Sequence, residues 1–193
     1  MFLDIGLLVL AYLLGSLSFG LLMARLYGGV DPRQSGSGNF GATNVARTMG
    51  KTAGILTLLG DCVKGVVAVM LAQWWGSSVL ISAAAALSAV LGHIFPVYHG
   101  FQGGKGVATA LGVLLPTLPL PLLGGCAVWL AVVVIWRYVS AGSILAAVVI
   151  PVLAAILAYP LPMVCAAIGI SLLVLYRHRS NMQRLLQGRE LKV

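Results

Sequence analysis

Carboxylates are almost missing from this chain. Asp4, Asp31, Asp61 and Glu190 are the only acids in 193 residues, against twelve lysines and arginines, which leaves a formal charge of +8. So few acids argue against a magnesium-dependent mechanism, because hard cations draw their ligands from carboxylate oxygens. No metal site is expected. Cysteine is equally scarce: Cys62, Cys126 and Cys165 lack the CxxC or Cys/His spacing that zinc requires, so they are read as packing thiols rather than ligands or disulfide partners. Charged residues of both signs make up only 8% of the chain, far below the ~25% usual in soluble proteins. No internal repeat is evident.

What fills the chain instead is hydrocarbon. Hydrophobic residues account for 60% and the mean hydropathy is +1.04. A soluble core of this length has no room for so much apolar surface, whereas lipid solvates it directly. The expected fold is an all-α integral membrane protein, a single bundle of about seven transmembrane helices forming one domain over 1–193. Apolar stretches run from Ile5 to Ala24, Ala53 to Trp75 and Val79 to Val97. Val107 to Trp136 is broken by Pro116, Pro119 and Pro121, and Ala141 to Tyr176 by Pro160 and Pro162, so each reads as two shorter helices. The first stretch has Asp4 before it, Arg25 after it and no basic leader, so it is read as a retained helix rather than a signal peptide.

The cations orient the bundle. With the N-terminus outside and seven crossings, Arg25, Arg33, Arg47, Lys51, Lys105, Arg137 and the basic tail from Arg177 all fall on the inner side. The outer turns then carry no lysine or arginine. Much of the +8 charge is this inner-side bias, so no nucleic-acid partner is expected. The expected location is a bacterial inner membrane, crossed several times, with the chemistry on the cytoplasmic face and anionic substrates drawn to that surface.

Three polar islands would share that face: Ser35 to Arg47, Gly103 to Thr109 and His178 to Glu190. In the first, Gly36, Gly38 and Gly41 allow positive φ, so successive amides can converge on an oxyanion, while Ser35, Ser37, Asn39 and Asn44 add side-chain contacts and Arg47 a planar cationic fork. In the second, Lys105 stands among Gly103, Gly104 and Gly106 ahead of a helix starting near Val107. This is not a nucleotide-binding P-loop: His99 stands where that motif has its first glycine, and Gly106 follows the lysine in place of Ser or Thr. In the third, His178, Asn181 and Arg184 recur every three residues along one face of a helix continuing from the last span. Each island also admits a plainer reading: a loop in which Thr43 or Asn44 caps the next helix, a positive-inside anchor around Lys105, and a basic interfacial helix at the tail.

These residues, in this order, resemble the PlsY family of bacterial glycerol-3-phosphate acyltransferases over essentially the full length. The matching segments are GSGNFGATNVAR at Gly36 to Arg47, GGKGVAT at Gly103 to Thr109 and HRSNMQRLLQGRE at His178 to Glu190. The resemblance implies transfer of an acyl group from acyl phosphate to the 1-position of glycerol 3-phosphate, giving lysophosphatidic acid and inorganic phosphate. It implies no cofactor, neither acyl-CoA nor acyl carrier protein as direct donor, and no obligate protein partner. The implied partners are acyl phosphate, glycerol 3-phosphate and membrane lipid.

On that reading Lys105, Arg47 and His178 clamp phosphate, and Ser35, Ser37, Asn39 and Asn44 supply neutral donors. Asn181 and Arg184 complete a second anion pocket. Gly38, Gly41, Gly103, Gly104, Gly106 and Thr109 are counted with the substrate-binding residues. The proton of the glycerol hydroxyl goes either to His178 or, as we prefer, to a substrate phosphate oxygen, whose second pKa of ~6 makes it a weak base. Asp61 and Lys64 are expected to pair within a span, structurally or behind the site. His93 and His99 are expected to make interfacial hydrogen bonds. The competing class is a transporter of organic phosphate, disfavoured because the cations gather on one face. The HxxxxD pair of other acyltransferases is absent after His93, His99 and His178.

Overall fold

A computed structural model describes residues 1–28 and 31–193. Among these, every regular element is helical, and the chain divides into two compact units, Met1–Pro116 and Thr117–Val193.

The first unit begins with α1 (Phe2–Ser16) and α2 (Phe19–Leu26). The sequence reads as one helix here, but Leu17 is extended and the Ser18 hydroxyl accepts the Leu21 amide as the N-cap of α2. Next come α3 (Ala42–Met49), α4 (Lys51–Trp75), α5 (Val79–Ile94), a 3-10 turn at Val97–His99, and α6 (Val107–Leu114). Small residues let these helices approach closely. A methyl group on Gly92 of α5 would strike the Tyr12 carbonyl of α1, and one on Gly15 of α1 the Ala89 carbonyl of α5. Likewise, Gly112 of α6 lies against the Cys62 carbonyl of α4, and Gly65 of α4 against the Thr109 carbonyl of α6. Lipid supplies no hydrophobic drive between apolar helices, so such backbone approach is what holds them together.

The second unit comprises α7 (Pro119–Trp136), α8 (Val139–Ile156), α9 (Leu161–Arg177) and α10 (Arg179–Leu186). Arg137, at φ +65°, turns α7 into α8, and Gly142 admits the Trp129 ring between them. The tail returns to this turn, where Arg137 Nε donates to the Val193 carbonyl. Leu130, Val134, Ile135 and Leu172 are exposed, as expected of helices solvated by lipid.

Both proline-broken stretches divide where the sequence predicts. Among the described residues, five helical segments are long and apolar enough to cross a membrane: Phe2–Leu26, Lys51–Trp75, Val79–His99, Pro119–Trp136 and Val139–Ile156. A sixth arises if Leu161–Arg177 and Arg179–Leu186, bent by 55°, are taken together. The remaining apolar stretch, α6, has eight residues. At about 1.5 Å per residue it covers less than half of a ~30 Å hydrocarbon layer, because a glycine loop precedes it and Pro116 follows. Among the described residues, the seven apolar helical stretches therefore include five or six long enough to cross.

Candidate active site

The first island is a loop tied by Asn44. This buried side chain donates from Nδ2 to the carbonyls of Pro32 and Ser35, at 2.8 and 3.0 Å, and its Oδ1 accepts the Ser37 amide at 2.7 Å. Its donors and acceptor are spent within the protein. Asn44 is thus a brace for the loop, not the neutral substrate donor expected from sequence. Gly36 and Gly38 take positive φ as predicted, whereas Gly41, at φ −72°, serves as the N-cap of α3. Asn39 Oδ1 accepts the Gly41 amide at 2.9 Å. Ser35, Ser37 and Asn39 are half-buried, and Arg47 stands exposed on α3. Arg33 is committed elsewhere: its guanidinium grips Asp31 at 2.6 Å and, chiefly through that hydrogen bonding, holds the carboxyl below its ordinary range.

The second island packs onto the end of α5. Gly103 and Gly104 are buried, and the Gly104 amide donates to the His93 carbonyl at 3.1 Å. Gly106, at φ +85°, caps α6, so the half-buried Lys105 sits just before a helix N-terminus, where backbone amides and dipole favour an anion. Thr109 departs from expectation. It is fully buried, and its hydroxyl has no hydrogen-bond partner among the described residues. With its carbonyl against Gly65, it belongs to the α4–α6 contact rather than to a substrate surface.

Asp61 and Lys64 form the expected ion pair at 2.7 Å, both buried. His93 is buried as well, and its Nδ1 lies 3.0 Å from Lys64 Nζ, so it is an interior residue and not the interfacial one predicted. The Phe40 ring of the first island meets the His93 ring edge-to-face at 6.4 Å. His93 is thereby the residue on which the first two islands meet. Sequence reasoning missed this, since a lone histidine in an apolar helix carries no spacing signal.

In the second unit the helix does not run on through the third island. It bends by 55° at His178, which ends α9 and precedes α10. His178 is buried, and its Nδ1 lies 2.8 Å from the Val174 carbonyl. A carbonyl only accepts, so Nδ1 carries a proton and donates it to Val174. Glu190 collects the rest. Its carboxylate accepts from Asn181 Nδ2 at 2.6 Å, Ser140 Oγ at 2.8 Å and Arg184 Nε at 2.8 Å. Burial alone would raise the Glu190 pKa, but these three donors outweigh it and hold the carboxyl below its ordinary value. Asn181 was expected to donate to an anion. One N–H of its amide is given to Glu190, and the buried Oδ1 has no hydrogen-bond partner among the described residues. Arg184 keeps the two terminal nitrogens of its guanidinium for other partners.

Small-residue helix contacts and apolar helices long enough to cross a bilayer define a helical membrane protein. Residues 5–188 match the family model for glycerol-3-phosphate acyltransferase, so this chain belongs to that family. A glycerol-3-phosphate acyltransferase from Trichlorobacter lovleyi is 48% identical over 182 residues, covering 94% of this chain and 93% of the relative. Among solved structures, PlsY (YgiH), an integral membrane glycerol 3-phosphate acyltransferase, is similar in its glycerol 3-phosphate form with a TM-score of 0.94 and 43% identity, over 98% of this chain and 95% of that one. Its lysophosphatidic acid form gives a TM-score of 0.91 at 43% identity, over 98% and 94%. The chain is accordingly a multi-pass membrane acyltransferase by family.

Proposed function

We propose that this protein transfers an acyl group from acyl phosphate to the 1-hydroxyl of glycerol 3-phosphate, on the cytoplasmic side of a bacterial inner membrane. The hydroxyl oxygen bonds to the acyl carbon, the bond from that carbon to the phosphate oxygen breaks, and lysophosphatidic acid and inorganic phosphate leave. The family match from residue 5 to residue 188 spans both compact units, which supports treating 1–193 as one acyltransferase domain.

The observation that carries this reading most directly is the 43% identity, over 98% of the chain, to a structure holding glycerol 3-phosphate. Its chemistry agrees with the residues present. Two phosphate-bearing substrates call for cations, and Lys105 and Arg47 in the first unit, with His178 and Arg184 in the second, are the side chains we assign to them. Charge-assisted donors of this kind stabilise the departing phosphate and the oxyanion at the acyl carbon. Ser35, Ser37 and Asn39 add neutral donors. His178 Nδ1 donates to a carbonyl and the residue is assigned to holding an anion, so we give the hydroxyl proton to a substrate phosphate oxygen. The distribution of lysine and arginine supports the cytoplasmic placement.

Purified protein in detergent, given glycerol 3-phosphate with either acyl phosphate or acyl-CoA and no added metal, tests the reading. Lysophosphatidate and phosphate should form with acyl phosphate only. Turnover with acyl-CoA alone would overturn the donor assignment, and no turnover by folded protein with either donor would favour a phosphate carrier.

A further inference from the structure

We propose that His93, held in place by Lys64 and Asp61, is a positioning residue that fixes the Lys105 loop; this rests on the acyltransferase reading above. Lys64 and Asp61 lie one turn apart on the buried face of α4, 2.7 Å from each other. A lysine–aspartate pair inside an apolar span is costly to desolvate, and apolar residues of the same size often pack as stably. The pair therefore calls for a role beyond packing.

Its contacts supply one. Lys64 Nζ donates to the Leu17 carbonyl, which the break between α1 and α2 exposes, and it approaches His93 Nδ1 at 3.0 Å. Nδ1 also stands 3.6 Å from Asp61 Oδ1, beyond hydrogen-bond distance, and an ammonium has no acceptor, so Nδ1 accepts from Lys64 and the imidazole proton sits on Nε2. The Nε2 edge faces the glycine loop: a methyl group on Gly104 would collide with His93 Nε2, and one on Gly103 with the His93 and Ile94 carbonyls. The His93 carbonyl also accepts the Gly104 amide. His93 thus meets the loop through both ring and main chain, immediately before Lys105. The Phe40 ring, between Asn39 and Gly41 of the first island, touches the same imidazole. One buried ring sets the height of the lysine loop and the seat of the serine–asparagine loop together. A flexible lysine clamps phosphate productively only when its base is fixed to within about 0.5 Å.

Two substitutions separate the ends of the ring. His93→Asn keeps an acceptor for Lys64 at the Nδ1 position but stops short of Gly104. His93→Gln places an amide where Nε2 stood and removes one of the three acceptors of Lys64, leaving the Leu17 carbonyl and Asp61. In steady-state acyl transfer from acyl phosphate to glycerol 3-phosphate, kcat/KM should fall about 10- to 100-fold in His93→Asn and less than tenfold in His93→Gln. The thermal unfolding midpoint should drop in the opposite order. Activity and midpoint falling in the same order, or wild-type kcat/KM in His93→Asn, would overturn the proposal. If either variant fails to fold, Phe40→Leu removes the ring contact while sparing Lys64, and about a tenfold loss of kcat/KM is expected. Wild-type kinetics there would overturn it too. Absence of acyl transfer by the unsubstituted protein would instead sink the acyltransferase reading, and this inference with it.

Discussion

Glu190 Oε1 accepts the side-chain amide of Asn181 at 2.6 Å, across nine residues of the C-terminal segment. The same carboxylate holds Ser140 and Arg184, so one acid orients the polar face of α10 and ties it to α8. Glu190→Ala should leave a buried Asn181 without its acceptor and lower stability by about 1–3 kcal/mol, with acyl transfer falling in parallel. Thermal unfolding with activity measured on the same preparation checks this.

The pH dependence of that brace has a definite sign. Because the folded-state pKa of Glu190 lies below its unfolded value, its contribution is complete above the unfolded pKa and is lost as pH falls through the folded one. Stability of the wild type should therefore decline on the acid side more steeply than that of Glu190→Gln. Unfolding midpoints between pH 7 and pH 3, at about one-unit steps across the usual carboxylate range, provide the comparison.

Asn44 acts through the loop it ties. Asn44→Ala removes two donors and one acceptor, freeing the Ser37 amide and the Pro32 and Ser35 carbonyls. We expect a loss of about 1–3 kcal/mol and a raised KM for the phosphate substrate whose loop is no longer held. An unchanged KM in a destabilised Asn44→Ala would show that this loop does not touch substrate.

The cations should divide from the histidine in their kinetics. Lys105→Ala and Arg47→Ala should each lower kcat/KM by about 100-fold or more, the scale of losing one preorganised donor to developing charge. His178→Gln retains a donor, so turnover should largely persist while binding weakens. A loss of kcat by about 10³-fold in His178→Gln, with KM unchanged, would return the histidine to the role of general base.

Glycine contacts predict where bulk is forbidden. Gly112→Ala would drive a methyl group into the Cys62 carbonyl and separate α6 from α4, costing about 1–3 kcal/mol. Gly6→Ala meets nothing within 4 Å and should lie within about 0.5 kcal/mol of wild type. Thermal midpoints of the two variants in one detergent test the contrast.

Much of the architecture was legible because its signals are local. Pro116, Pro119 and Pro160 stand at helix ends, because proline lacks an amide proton and crowds the preceding turn, although α8 runs on through Pro151. The break at Leu17 was invisible, since Ser18 caps a helix only in a setting that satisfies the Leu17 carbonyl, and Lys64 provides it from 47 residues away. Among site residues, Lys105 and Gly106 were placed correctly at the start of α6. Asn44, Thr109 and Asn181 carry the right polarity for a ligand, yet Asn44 spends its amide on the loop, Asn181 gives an N–H to Glu190 and Thr109 is buried between helices. A polar side chain in a glycine loop serves substrate or backbone equally well, and its composition does not distinguish the two.

The sequence by itself determined the membrane class, the proline breaks, the three polar islands and the family, because hydropathy, backbone restriction and motif spacing are properties of short segments. Only the tertiary structure decided which polar groups are spent internally, that Glu190 gathers Asn181, Arg184 and Ser140, and that His93 joins the first two islands. Those outcomes depend on distances between residues remote in the chain, and helix packing through Gly15, Gly92, Gly65 and Gly112 sets such distances in the first unit to within a methyl group.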